Sequence, residues 1–282
     1  MAVVPANYPN AGVDYLTCTY NPQANHTRLL FYLGACEREE LDRGGLSRRW
    51  GMAGYIGAHA GGLEWGSKSD GVIVRLSGET ARSWWAKFGK LASNCSRIDL
   101  QQTVVYDEPP HRTINRHFKE LRKWNKTHRK PMTAKLWCGD QGAEAMFSGK
   151  RVSDSYLRCY HRGSKPECSH EQGHLRYEVE LKNSRARQAL QGLLASDNPE
   201  AVTRATVGQM FSARGVRLTW QEGCTLTFVT PIKNDDAGKR LRWLRDAIRP
   251  AVQNLIEHGY RDEVVEALGL MDQAQADKDW SN

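Results

Sequence analysis

A chain of 282 residues with 40% hydrophobic and 26% charged side chains can bury a substantial core, and its ordinary globular composition excludes fibrous, low-complexity and disordered classes. Its formal net charge of +8 calls for a polyanionic partner, nucleic acid before an anionic membrane surface. No apolar run approaches the roughly 18–20 residues of a transmembrane helix, and the opening "MAVVPANYPN" has neither the charged nor the apolar region of a signal peptide, so no membrane partner and a cytoplasmic location are expected.

Residues 12 to 20, "GVDYLTCTY", alternate Val13, Tyr15, Thr17 and Thr19 against Asp14, Leu16, Cys18 and Tyr20 and read as an opening strand. Glycine is dense between 33 and 70, which suggests a hairpin or a mobile loop, without the spacing of a phosphate-cradling motif. "DGVIVRLSG" (70 to 78) reads as a strand, and "ETARSWWAKFGKLA" as a helix with Trp84, Phe88 and Leu91 on one side. "SRIDLQQTVVYDE" is a third strand, with Ile98 and Leu100 on one face and Arg97, Asp99, Gln101 and Thr103 on the other. The segment "HRTINRHFKELRKWNKTHRK" (111 to 130) carries eight Arg or Lys and one Glu, with Ile114, Phe118, Leu121 and Trp124 along one helical stripe. Its outer face, including Arg122, Lys123 and Lys126, is strongly cationic and suits a DNA backbone.

Two stretches then alternate with period two. "GKRVSDSYLRCYHRG" (149 to 163) sets Leu157 and Cys159 against Tyr156, Arg158 and Tyr160, and "HLRYEVELK" (174 to 182) sets Leu175, Tyr177, Val179 and Leu181 against Arg176, Glu178, Glu180 and Lys182. On pattern alone, the polar face is solvated and its cross-strand ion pairs contribute only about 0.2–1 kcal/mol each. Helices follow through "SRARQALQGLLAS" and "NPEAVTRATVGQMFSARG", then "GKRLRWLRDAIRPAVQNLIEHG", kinked at Pro250, and "RDEVVEALGL", before a polar tail. Lys239, Arg240, Arg242, Arg245 and Arg249 form a second basic cluster, suited to double-stranded DNA. Strands in the middle and helices at the end, with a strand-helix-strand unit over 70 to 106, predict an α+β fold. The expected architecture is a mainly antiparallel central sheet with helices on one face, spanning 1–195, and a mainly helical region over 196–282.

If these strands are neighbours, Asp99, Glu178 and Glu180 converge with Tyr160 and Arg158. Such carboxylates are hard oxygen ligands of the kind that hold Mg²⁺ or Mn²⁺, a tyrosine beside them can attack a phosphodiester, and Arg158 and Arg176 offer forked donors to phosphate. Tyr156, on the same face, is a base-stacking platform or a second nucleophile. Seven scattered cysteines predict no disulfide framework, and the spacings of Cys159, His161, Cys168, His170 and His174 match no common zinc module.

The run Gly149, Lys150, Arg151, Val152, Ser153, Asp154, then Arg158, Cys159 and Tyr160, followed by "LRYEVELK" and preceded by "RIDL", resembles the Rep_trans family of replication initiation factors. These initiate rolling-circle replication of small plasmids, integrative elements and filamentous phages. The resemblance implies a variant of the HUH-endonuclease sheet and a metal-dependent, origin-specific DNA nickase and strand transferase. Tyr160 would form a 5′-phosphotyrosine intermediate, and Asp99 and Glu178, with Glu180, would ligate the metal. It further implies double-stranded origin and single-stranded DNA, a host replication helicase and a polymerase as partners; a homodimer is compatible with the sequence. Two positions depart from the family pattern: Thr103 stands where a second aspartate is usual, and Arg162 where a lysine is usual. The competing class is a non-catalytic DNA-binding protein, such as a phage or plasmid repressor or a single-strand binder. An RNA-processing enzyme using the same metal chemistry ranks last.

Overall fold

The computed structural model describes residues 7–21, 26–44, 48–52, 55–68, 71–129, 134–140, 142–164, 168–218, 220, 225–228 and 248–267. Ten strands form one sheet: β1 (Asn7–Tyr20), β2 (Arg48–Met52), β3 (Tyr55–Ala60), β4 (Leu63–Lys68), β5 (Gly71–Ser77), β6 (Asn94–Val105), β7 (Lys135–Gly139), β8 (Gly142–Ser148), β9 (Ser155–His161) and β10 (His174–Lys182). Their order is β2-β3-β4-β5-β1-β6-β10-β9-β8-β7, and every neighbouring pair is antiparallel. The expected α+β class with a mainly antiparallel sheet is what the chain adopts. The strand-helix-strand unit is β5, α2 (Gly78–Leu91) and β6; β1 lies between its two strands and pairs with both, so the crossover spans an intervening strand.

The alternation of β9 and β10 settles which face is which. Leu157, Cys159, Leu175, Tyr177, Val179 and Leu181 are all at most 1% exposed and share one core with Ile98, Leu100 and Val104 of β6. Helices α2, α3 (Pro110–Thr127), α4 (Asn183–Leu194) and α5 (Pro199–Ser212) cover that face. Phe88 of α2 meets Tyr20, Phe211 of α5 meets Tyr177 edge-on, and His117 of α3 is hydrogen-bonded to the Tyr177 hydroxyl at 2.8 Å. In α3, Ile114 and Leu121 are fully buried while Arg122, Lys123 and Lys126 are exposed, as the amphipathic stripe predicts.

Three features differ from the sequence reading. The glycine-dense segment contains the meander β2-β3-β4 in its described part. A helix absent from that reading, α1 (His26–Asp42), buries Leu29, Leu33, Cys36 and Glu40. It packs on α2 through Tyr32 and Trp84, and Glu40 accepts from the Thr80 hydroxyl at 2.6 Å and the Gly62 amide at 2.7 Å. In β1 the strict alternation of Val13 with Tyr15 fails, because the β1–β6 register shifts between Val13 and Tyr15. The bulge leaves Val13 in the core with Leu16 and brings Asp14 and Tyr15 together on the opposite side.

The chain divides into two compact units, 1–228 and 229–282. The boundary expected at 195 lies inside the first, since α5 packs on β1, β6 and β10 and Leu226 contributes to the core. In the second unit the described elements are α6 (Arg249–Glu257) and α7 (Arg261–Ala267). Pro250 lies in the first turn of α6, where its missing N–H has no intrahelical acceptor to lose. Lys239, Arg240, Arg242, Arg245 and the polar tail lie outside the described residues. Among the described residues no helix is long and apolar enough to cross a membrane.

Candidate active site

On the face away from the helices, strand register stacks the polar residues in rows. Asp99, Glu180 and Tyr156 are aligned across β6, β10 and β9; Gln101, Glu178, Arg158 and Phe147 form the next row; Thr103, Arg176, Tyr160 and Ala145 form the third. This face is not solvated. Asp99, Glu178, Glu180 and Arg176 are 2%, 3%, 2% and 6% exposed, so their charges must be answered inside the protein.

They are answered by arginine. Arg97 holds Asp99 in a fork, Nε to Oδ1 at 2.8 Å and Nη2 to Oδ2 at 2.7 Å. Arg158 Nη2 stands between two carboxylates, 2.9 Å from Asp99 Oδ2 and 2.7 Å from Glu178 Oε2. Glu180 is turned to Arg97 at 3.0 Å and Lys182 at 2.8 Å. Arg176 pairs with Asp14 at 3.2 Å, which also takes Arg82 at 3.0 Å. Four carboxylates thus face five cations in one network.

The Tyr160 hydroxyl donates to Glu178 Oε1 at 2.6 Å. Burial, then the neighbouring Glu178 charge, hold the phenol well above its ordinary pKa, with Arg176 opposing. Glu178 is itself raised, chiefly by burial, against the lowering effect of Arg158; Asp99 is raised for the same first reason, against Arg97. A carboxylate raised in this way is a stronger base than a free one, and it already accepts a hydrogen bond from the phenol. A cavity of about 470 Å³ opens here, lined by Asp14, Tyr15, Asp99, Arg158, Tyr160 and Glu178, with Trp137 and Phe147 among its walls. Among the described residues Arg158 Nε and Gln101 Nε2 are buried without a hydrogen-bond acceptor, and Gln101 does not line the cavity.

The structure therefore brings together Tyr160, Arg158, Asp99 and Glu178, and sets Arg176 beside Tyr160 in the same row, where it pairs with Asp14. Glu180 does not line the cavity. Tyr156 is 8% exposed and its ring lies parallel to Phe147, 6.1 Å between centroids. Arg122, Lys123 and Lys126 belong to the opposite, helix-bearing side. Three contributors escape the period-two reading: Asp14 and Tyr15, delivered by the bulge, and Trp137, which is 63% exposed at the cavity wall. The Asn/Pro/Gly-rich approach to β1 marked a turn and gave no sign of the bulge. Arg162 is committed elsewhere, forked onto Glu171 at 2.7 and 2.5 Å, and its hydrogen bonds hold the Glu171 carboxyl down to about 2. Of the cysteine and histidine cluster, Cys159 is in the core and Cys168 accepts from Arg162.

Asp99 and Glu178 fit a hard divalent cation by donor type, and their oxygens converge on one positive point, Nη2 of the Arg158 guanidinium. Among the described residues no group of three or more His, Cys, Asp or Glu is arranged to hold a metal, so any such ion would rest on these two and on water or substrate.

No protein-family model matches the sequence, and no curated protein matches it either. Among solved structures the chain is similar to the rolling circle replication initiator protein from Geobacillus stearothermophilus, at 18% identity and a TM-score of 0.48, over 80% of this chain and 90% of that one.

Proposed function

We propose that the protein nicks and rejoins DNA through a tyrosyl ester on Tyr160 and so initiates rolling-circle replication. The observation that carries this reading is the Tyr160 hydroxyl donating to the buried base Glu178, with Arg158 beside both. The Tyr160 oxygen attacks the phosphorus of one phosphodiester; its proton passes to Glu178, the bond to the 3′ oxygen breaks, and that oxygen leaves as a hydroxyl after taking a proton from solvent. The product is a 5′-phosphotyrosine, which keeps the energy of the broken bond, so a later 3′-hydroxyl reverses the step without ATP. Arg158, which lines the cavity, meets the charge that gathers on the phosphate oxygens. Trp137, exposed at the wall, offers a flanking base a stacking surface, the role expected of Tyr156 from sequence.

Asp99 and Glu178 would hold Mg²⁺ or Mn²⁺, which polarises the phosphodiester when bound. Glu180 serves this arrangement by fixing Arg97 and Lys182. Double-stranded origin DNA, a single strand, and the host helicase and polymerase are the partners this cycle requires.

The charge-matched network also accommodates the non-catalytic reading, a DNA binder whose carboxylates only pair with arginine. Purified protein incubated with a supercoiled plasmid carrying the replicon DNA around its own coding sequence separates the two. Nicking with Mg²⁺ or Mn²⁺, stopped by EDTA, is expected; intact supercoils under every metal condition would leave the binder.

The exposed cations of α3 are assigned to the phosphate backbone. Neutralising Arg122, Lys123 and Lys126 together should weaken binding to all DNA sequences alike and flatten the plot of log K against log salt by about 0.9 for each phosphate no longer neutralised. An unchanged slope in a binding titration returns that helix face to ordinary solvation.

A further inference from the structure

A second group of arginines lies at the end of β9 away from Tyr160, and among the described residues no acidic side chain pairs with it. Arg214, just beyond α5, reaches through Nη1 to the Ser148 carbonyl at 2.9 Å and the Ser148 hydroxyl at 3.1 Å, and through Nη2 to the Ser155 hydroxyl at 3.0 Å. Arg185, in the first turn of α4, approaches the same Ser155 oxygen at 3.5 Å. Both arginines are half-buried, while Ser148 and Ser155 are 4% and 9% exposed. Among the described residues neither arginine has a carboxylate within ion-pair distance; the adjacent Asp154 accepts from the Asn183 amide at 2.7 Å. Gly149 of the β8–β9 turn lies close to the pair: its φ is +99°, and a Cβ there would stand 3.0 Å from the Ser155 carbonyl and 3.3 Å from Arg214 Nη1.

Bringing two like charges together and half-burying them is unfavourable unless an anion compensates. Burial first, then Arg185, lower the Arg214 pKa to about 10. The Ser155 oxygen receives two donors, so its own hydrogen remains to be donated. Two forked cations and a hydroxyl proton form a donor set matched to the oxygens of a phosphate group.

We propose that Arg185, Arg214 and Ser155 form a phosphate-binding site distinct from the Tyr160 cavity. Ser155 has the strand parity of Leu157 and Cys159, so the site lies on the helix-bearing side, and β9 links it to the tyrosine five residues on. It would hold a backbone phosphate of DNA running past the protein, or a free phosphate or nucleotide. The assignment does not rest on the chemistry of Tyr160 and can be tested in the Tyr160→Phe protein.

Thermal melting of the full chain in inorganic phosphate and in chloride of equal ionic strength reads the site directly. The wild type should melt higher in phosphate, and Arg214→Met and Arg185→Met should each lose that difference. Arg185→Met, which removes one long hydrogen bond and a cation–π contact with Phe228, keeps the test valid if Arg214→Met fails to fold. An equal phosphate shift in the wild type and the variants, or no shift at all, overturns the proposal. A salt titration of a fluorescent single-stranded oligonucleotide then identifies the source. A slope flattened by about one in the Arg185→Met protein assigns the site to DNA backbone, and an unchanged slope with the phosphate-specific shift retained in the wild type assigns it to a free phosphate or nucleotide.

Discussion

Tyr160→Phe is expected to abolish both nicking and joining while leaving a folded, DNA-binding protein. The ring lies on the polar face among Arg176, Arg158 and Glu178, and phenylalanine keeps that packing. What disappears is one oxygen, the group that would carry the DNA. Tyr156 is buried against Phe147, and Tyr15, which also lines the cavity, lies under the Arg97 guanidinium with no carboxylate base on its hydroxyl among the described residues, so the rate should fall by about four orders of magnitude or more. Glu178 Oε1 loses its donor, at a cost of about 1–3 kcal/mol; circular dichroism and oligonucleotide affinity should therefore remain near wild type. Tyr156→Phe should keep full adduct formation. A Tyr160→Phe protein that still nicks would remove the tyrosine from the mechanism.

Glu178→Gln is expected to lower nicking by about two to four orders of magnitude, the usual contribution of a positioned general base. The amide can still meet the Tyr160 hydroxyl but cannot take its proton. The same change removes one of the two carboxylates that hold Arg158; Asp99 remains, so part of the roughly 3–5 kcal/mol penalty for breaking a buried pair is avoided. The pH dependence gives an independent reading. Burial raises the Glu178 pKa in the folded protein, so the basic form is lost as pH falls through a value above the ordinary glutamate pKa of about 4.3. A group whose folded pKa exceeds its unfolded one binds protons more tightly when folded, so acidification across that window does not destabilise the fold through Glu178. Nicking should therefore decline reversibly at a pH where the melting temperature is still high, and single-turnover rates of the Glu178→Gln protein should show no such step. Coincident loss of activity and fold in the wild type would place the titration elsewhere.

Much of this site was legible because period-two alternation is a strong signal where a strand packs one face into a core. Leu175 to Leu181 fixed the inward parity of β10, and with it the outward parity of Arg176, Glu178 and Glu180. The amphipathic stripe of α3 was readable for the same reason. Alternation says which side a residue takes, however, and not what covers it, so the polar face read as solvated when Asp99 and Glu178 are buried with arginine partners. The β1 bulge adds one residue to a strand without any composition change, which hid Asp14 and Tyr15. Helix α1 escaped because Leu30, Phe31 and Leu41 are apolar yet 49%, 69% and 44% exposed, blurring the stripe of Leu29, Leu33 and Cys36. Glu180 had the right parity but stands one row from Glu178, beside Arg97 and Lys182, a pairing set by three-dimensional register.

The central claim is that one named oxygen carries the DNA. Wild-type protein trapped on an origin oligonucleotide, digested to peptides and sequenced by mass spectrometry, reports that atom directly. The account predicts a nucleotide mass on the peptide containing residues 155 to 161, with fragmentation placing it on Tyr160; a nucleotide on Tyr156 or on any other residue, or active protein without an adduct, would contradict it.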